Sequence, residues 1–199
     1  MNKILVAALA MAGLVSAGAV YADDSGFMVR ARAVSISWDN ANKDNQLPAE
    51  VEAKNLWIPE VDISYFFTKN IAAELVLTYP QKIDIKLGGS KLGDISALPP
   101  SLLVQYHFTD LGAFKPYVGA GVNYTVFTER DVTSAIKVDQ SSVGLAAQVG
   151  FDYFLTKNVA LNFDVKYIQM SSDVKVSDVK RDKVQLNPIT AGVGVGYRF

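Results

Sequence analysis

From Gly26 to the end of the chain, apolar side chains recur at every second position, the period of a β-strand with two unlike faces. Over 26–38, Phe27, Val29, Ala31 and Ala33 alternate with Arg30, Arg32, Val34 and Ile36. Over 57–67, Trp57, Val61, Ile63, Tyr65 and Phe67 oppose Ile58, Glu60, Asp62 and Ser64. After a turn at 68–70, Ala73, Leu75, Leu77 and Tyr79 oppose Glu74, Val76 and Thr78. The same alternation runs through 101–108, 116–127, 142–155, 159–170 and 184–199. It predicts eight strands in an antiparallel meander.

The connections are lopsided. Those at one end are short, at 68–70, 109–115 and 156–158, whereas 39–55, 80–100, 128–141 and 171–183 make long loops at the other. Every even strand finishes on Tyr-x-(Phe or Leu), at Tyr65, Tyr106, Tyr153 and Tyr197. The phrase YFFTKN at 65–70 even returns as YFLTKN at 153–158. A ring with a polar tip prefers the boundary between hydrocarbon and water, so four of them at one level form an aromatic girdle.

Alternation alone does not say whether the apolar face looks out to lipid or in to a core. Glycine decides it. Gly119, Gly121, Gly144, Gly150, Gly192, Gly194 and Gly196 all lie on the less apolar face, where the interior of an eight-stranded barrel has little room for side chains. Short turns at one end, long loops at the other and a C-terminal Tyr197-Arg198-Phe199 agree with an outer-membrane barrel. The fold class expected is all-β: an eight-stranded antiparallel up-and-down transmembrane β-barrel, multi-pass in a bacterial outer membrane.

Composition supports this. Half the residues are hydrophobic although 20% are charged, and there is no cysteine to staple an exported chain. Lys3, an apolar run over 4–15 and Val20-Tyr21-Ala22 read as a signal peptide over 1–22, leaving 23–199 as one barrel domain. Past that segment, nothing approaches the roughly 18 apolar residues of a spanning helix. With 19 Lys and Arg against 20 Asp and Glu, no positive excess points to nucleic acid.

By parity the lumen divides in two. Toward the short turns it holds Arg30, Arg32, Lys166 and Arg198 with Glu60, Asp62, Glu74, Asp152 and Asp164, readable as an ionic plug or as a proton or ion pathway. Toward the long loops it holds Val34, Ile36, Leu56, Ile58, Val76, Phe127, Ile168 and Met170, with Trp38 at the mouth. These nine are the candidate ligand-binding residues, forming either an apolar pocket or packing for the loops. Pro99 and Pro100 lack N–H donors where a strand begins, which makes them candidates for a lateral opening and equally ordinary turn residues. His107 is the one histidine and faces inward far from the loops, so no nucleophile–histidine–carboxylate set or metal cluster can be assembled around it. Neither enzymatic activity nor a cofactor is expected.

The stretches LPPSLLVQYHF, FKPYVGAGVNYTVF, AAQVGFDYFLTKNVALNFDV, LNP and GYRF, in that order, resemble the outer membrane protein W (OmpW) family across nearly the whole mature chain. The resemblance implies a narrow hydrophobic channel, uptake of small hydrophobic molecules and lateral delivery into the membrane lipid. It places Val76 where such channels are pinched, and marks Lys166 as a departure from an apolar partner there. The ending Gly194-Val195-Gly196-Tyr197-Arg198-Phe199 separately resembles the C-terminal signal that the outer-membrane assembly machinery recognises, with Tyr197 and Phe199 as its contacts. The competing expectations are a structural or receptor barrel whose outer loops bind surface ligands, and a weak ion pore.

Overall fold

The computed structural model describes residues 26–37, 41–42, 49–52, 56–87, 90–132, 136–138, 141–169, 171–176, 179–185 and 187–199. The segment expected as a signal peptide, Trp38 and Met170 lie outside them. Within the described residues the chain forms β1 (Gly26–Ser37), β2 (Ala41–Asn42), β3 (Ala49–Glu52), β4 (Leu56–Phe66), β5 (Ile71–Thr78), β6 (Gln81–Leu87), β7 (Ser90–Leu98), β8 (Ser101–His107), β9 (Phe114–Val132), β10 (Ile136–Val138), β11 (Ser141–Phe154), β12 (Val159–Ile168), β13 (Ser171–Val176), β14 (Val179–Gln185) and β15 (Ile189–Arg198).

Eight of these are the staves of a barrel, in the order β1, β4, β5, β8, β9, β11, β12, β15, each antiparallel to the next. The ring closes where β15 pairs with β1 from Met28↔Arg198 to Ser37↔Ile189. Closure gives every stave a paired neighbour on both sides, which spares the barrel a free edge strand whose orphaned backbone groups would each cost several kcal/mol in lipid.

The alternation is visible in burial. Along β8, Ser101, Leu103, Gln105 and His107 are buried while Leu102, Val104 and Tyr106 are exposed. A chain that turns its aliphatic residues outward and its carboxylates inward is built for a lipid solvent. Tyr65, Tyr106, Tyr153 and Tyr197 all face outward. Tyr65 meets Phe67 and Tyr106 meets Phe108 edge-on at 5.1 Å, and Tyr197 meets Phe199 at 4.7 Å.

The repeated TKN does a second job. Thr68 Oγ1 accepts from the amides of Asn70 and Ile71, and Thr156 Oγ1 from those of Asn158 and Val159, which tightens both turns. The asparagine then reaches sideways. Asn70 Nδ2 donates to the His107 carbonyl at 2.7 Å, and Asn158 Nδ2 to the Arg198 carbonyl at 2.6 Å. Each turn thus latches the end of a neighbouring stave, the second latch holding the last stave before closure. Asn158→Ala and Asn70→Ala are each expected to lower stability by about 0.5–1.5 kcal/mol, one hydrogen bond's net contribution. Urea unfolding midpoints in micelles will read this, and unchanged midpoints in both variants would refute the latch.

Two expectations need correction. Of the four segments expected as long loops, 80–100, 128–141 and 171–183 are mostly paired strand, and 39–55 carries β2 and β3. β6 and β7 form a hairpin from Gln81↔Ala97 to Leu87↔Ser90, β9 continues to Val132 beside β7, and β3 pairs with β6. β10, β13, β14 and β2 make a separate four-stranded sheet. The pattern was present, since Ile83, Ile85 and Leu87 alternate with Lys82, Asp84 and Lys86. Its charges mark walls that rise beyond the lipid, not the absence of walls. The run at 184–199 is likewise not one strand. It breaks at Asn187, with φ of 23°, and Pro188, so that β14 belongs to the outer sheet and β15 to the barrel.

Candidate functional site

The lumen is stacked in three layers. At the short-turn end Met28, Phe66, Ala72 and Ala160 cluster with Phe154 into an apolar floor. The Arg198 guanidinium lies 4.2 Å over the Phe66 ring. His107 sits between the rings of Phe66 and Tyr117, each 4.8 Å away, and pairs with Gln105 Oε1 at 2.9 Å. Met28 and Phe66 were not among the residues named for the lumen, and their meeting depends on the register of β1 against β4, which pairs Met28 with Ser64 and Gly26 with Phe66.

Above the floor lies a belt of charge. Arg30 contacts Asp62 at 2.9 Å and Asp152 at 2.8 Å, and donates to Ser64 Oγ at 2.7 Å. Arg32 contacts Asp62 at 2.6 Å, Glu60 at 2.9 Å and Glu74 at 3.2 Å. Lys166 contacts Glu60 at 3.2 Å and Asp164 at 3.5 Å. Neutral groups complete the layer: Gln148 donates to Glu74 at 2.7 Å and the Tyr117 hydroxyl to Asp164 at 2.9 Å. Tyr117 fits because its neighbour is glycine, since a Cβ on Gly150 would sit 2.6 Å from its hydroxyl oxygen. All these charged groups are buried, and each of the five carboxylates lies within 4 Å of at least one of the three cations.

The third layer is a constriction. Val34, Ile36, Ile58, Val76 and Ile168 surround a cavity of about 20 Å³ whose floor is the Glu60–Lys166 pair. That is room for a single water. Leu103 and Ala146 pack behind Val76 and Ile168. Of the remaining candidates, Phe127 is buried beside β7, paired with Ala97, and does not line this cavity. Leu56 stands one inward position above Ile58, half-buried and also off the lining. The cavity has a polar flank that was not anticipated, made by Thr78, Gln81, Ser101 and Thr190, with Pro99 and Pro188 beside them. Thr78 and Ser101 were legible by parity; Gln81 was hidden in a segment read as loop.

That flank coincides with a seam in the wall. Pairing of β5 with β8 ends at Val76↔Ser101 and resumes as β6 with β7 at Gln81↔Ala97. Between them, residues 77–80 and 98–100 have no ladder partners across this junction. The break is one-sided. On the β9 side the register runs on from Ser101↔Asn123 to Leu98↔Val126, and the Pro100 carbonyl accepts from the Tyr124 amide at 3.0 Å. Backbone groups alternate sides along a strand. Pro100 therefore faces β9, and Pro99, which has no N–H, faces β5 opposite Thr78.

A closed meander of eight staves with a lipid-facing apolar exterior and an ion-paired interior is a transmembrane β-barrel of the bacterial outer membrane. The OmpW family model matches residues 23–199, and the chain belongs to that family. It is 33% identical over 217 residues to outer membrane protein W of Vibrio cholerae, covering 99% of this chain and 100% of that one. An outer-membrane protein of Sinorhizobium fredii, y4mB, is 42% identical over 185 residues, 88% of this chain and 80% of the relative. The crystal structure of OprG from Pseudomonas aeruginosa superposes with a TM-score of 0.69 at 30% identity, covering 88% of this chain and 97% of that one.

Proposed function

We propose that the barrel passes small hydrophobic molecules from the exterior into the outer membrane, entering at the apolar constriction and leaving sideways at the seam. The observation that carries this reading is the position of the apolar ring, directly above a buried ion-paired belt and beside the interruption of the ladder between Val76↔Ser101 and Gln81↔Ala97. Straight passage to the periplasm means breaking several buried ion pairs, whereas residues 77–80 and 98–100 share no ladder pairs with each other to break. Val34, Ile36, Ile58, Val76 and Ile168 are the contacts assigned to the guest, with Leu56 and Phe127 on the approach. Tyr197 and Phe199, exposed at the end of the closing stave, are assigned to the assembly machinery.

Val76→Arg and Ile36→Asp test the route by placing a charge in the ring. Desolvating it costs several kcal/mol, so uptake of a hydrophobic probe is expected to fall at least about tenfold in either variant, a change of about 1.4 kcal/mol. Barrel assembly is to be checked by the gel mobility of unheated samples. Folded variants with unchanged uptake would rule the ring out as the path.

A further inference from the structure

We propose that the molecule accepted at the seam carries a neutral hydroxyl head on an apolar tail, and that Gln81 and Thr78 read the head. This rests on the passage reading above. Gln81 is 3% exposed, lines the cavity, and its Oε1 has no hydrogen-bond partner; Thr78 Oγ1 is enclosed and equally without one. An enclosed oxygen left unpaired is unfavourable by about 1–3 kcal/mol, so the site is incomplete without a donor. A plain hydrocarbon supplies none. A hydroxyl donates to Gln81 Oε1 and can accept from the Thr78 hydroxyl.

Size points the same way. A cavity of about 20 Å³ admits one oxygen-sized group and not an alkyl chain. The head fits the void beside Val76 and Ile168, while the tail runs out through the seam beside Pro99. Charge excludes the other common heads. The floor is already neutralised, because Lys166 and Arg32 both contact Glu60 Oε1, at 3.2 and 2.9 Å. The buried belt below carries Arg30, Arg32 and Lys166 against Glu60, Asp62, Glu74, Asp152 and Asp164, so a further carboxylate is repelled. An ammonium head would lose its hydration in an apolar ring facing the Lys166 ammonium.

The test is displacement of a fluorescent probe from the full chain in lipid nanodiscs, corrected against barrel-free nanodiscs. The competitors are 1-decanol, decyl methyl ether, decane, decanoate and decylamine. Decanol is expected to bind about tenfold more tightly than the ether or the alkane, and Gln81→Met to bring that preference within about twofold, the loss of one hydrogen bond of about 1.4 kcal/mol. Thr78→Val is expected to reduce the preference less, and serves alone if Gln81→Met does not assemble. Equal binding of decanol, ether and decane overturns the head-group assignment and leaves the passage reading standing, with water as the occupant. Tighter binding of decanoate or decylamine overturns it in favour of a charged head. If no competitor displaces the probe, both readings fall.

Discussion

Arg30→Met is expected to destabilise the barrel by about 3–5 kcal/mol, the largest effect of any single substitution in the lumen. The Arg30 side chain is fully buried and holds Asp62, Asp152 and Ser64 within 2.9 Å, with Glu74 at 3.7 Å. Removing the guanidinium leaves carboxylates enclosed with fewer cations than before, and an enclosed anion has no water to fall back on. The burden is uneven. Asp62 and Glu74 keep Arg32, at 2.6 and 3.2 Å, whereas Asp152 has Arg30 as its ion-pair partner among the described residues, with the Asn162 amide at 2.8 Å and Lys115 opposite it in the ladder. The paired variant Arg30→Met with Asp152→Leu therefore removes the charge most exposed by the first change. It is expected to recover at least half of the lost stability, because replacing both members of a buried pair by apolar groups is far less harmful than breaking it. Equilibrium urea unfolding of the two variants in the same micelle measures both steps. A single variant as stable as the native chain would mean that the belt is not held by its ion pairs.

How much of this was legible in the sequence follows from what a period of two encodes. Parity says which face a side chain occupies, so it correctly put Arg30, Arg32, Glu60, Asp62 and Val76 inside and Tyr65, Tyr106, Tyr153 and Tyr197 outside. Parity does not give height. Phe127 and Ile168 share the inward face, yet only Ile168 reaches the cavity, because height follows from strand tilt and register around the whole ring. Nor does it give partners across the lumen. Lys166 meets Glu60 from 106 positions away on a non-adjacent stave, a contact set by barrel diameter and not by any local pattern. Lys166, read as a departure from an apolar pinch, proves to be its ion-paired floor. The outer hairpins were missed for the opposite reason. Their alternation is plain, but charged residues such as Lys82, Asp84 and Lys86 stand where a lipid-spanning strand would carry apolar ones.

Pro99→Thr and Pro100→Thr are expected to differ sharply, although the two residues are neighbours of one type. Pro100 already uses its carbonyl toward β9, accepting from Tyr124 at 3.0 Å and from the Asn123 side chain at 3.0 Å, so a donor restored at its nitrogen also faces β9. Pro99 faces the other way, toward Thr78, where the ladder between β5 and β8 has stopped. A donor there can pair with the Thr78 carbonyl and carry the ladder from Val76↔Ser101 toward Gln81↔Ala97. The bilayer favours that repair, because water is not at hand to satisfy the freed groups. Pro99→Thr is accordingly expected to raise amide-exchange protection at Thr78 and to lower uptake of a hydrophobic probe about tenfold. Pro100→Thr should leave both within about twofold. The link between the readouts is what matters: a sealed seam with undiminished uptake would send the guest down the lumen, and the ion belt, not the wall, would then have to open.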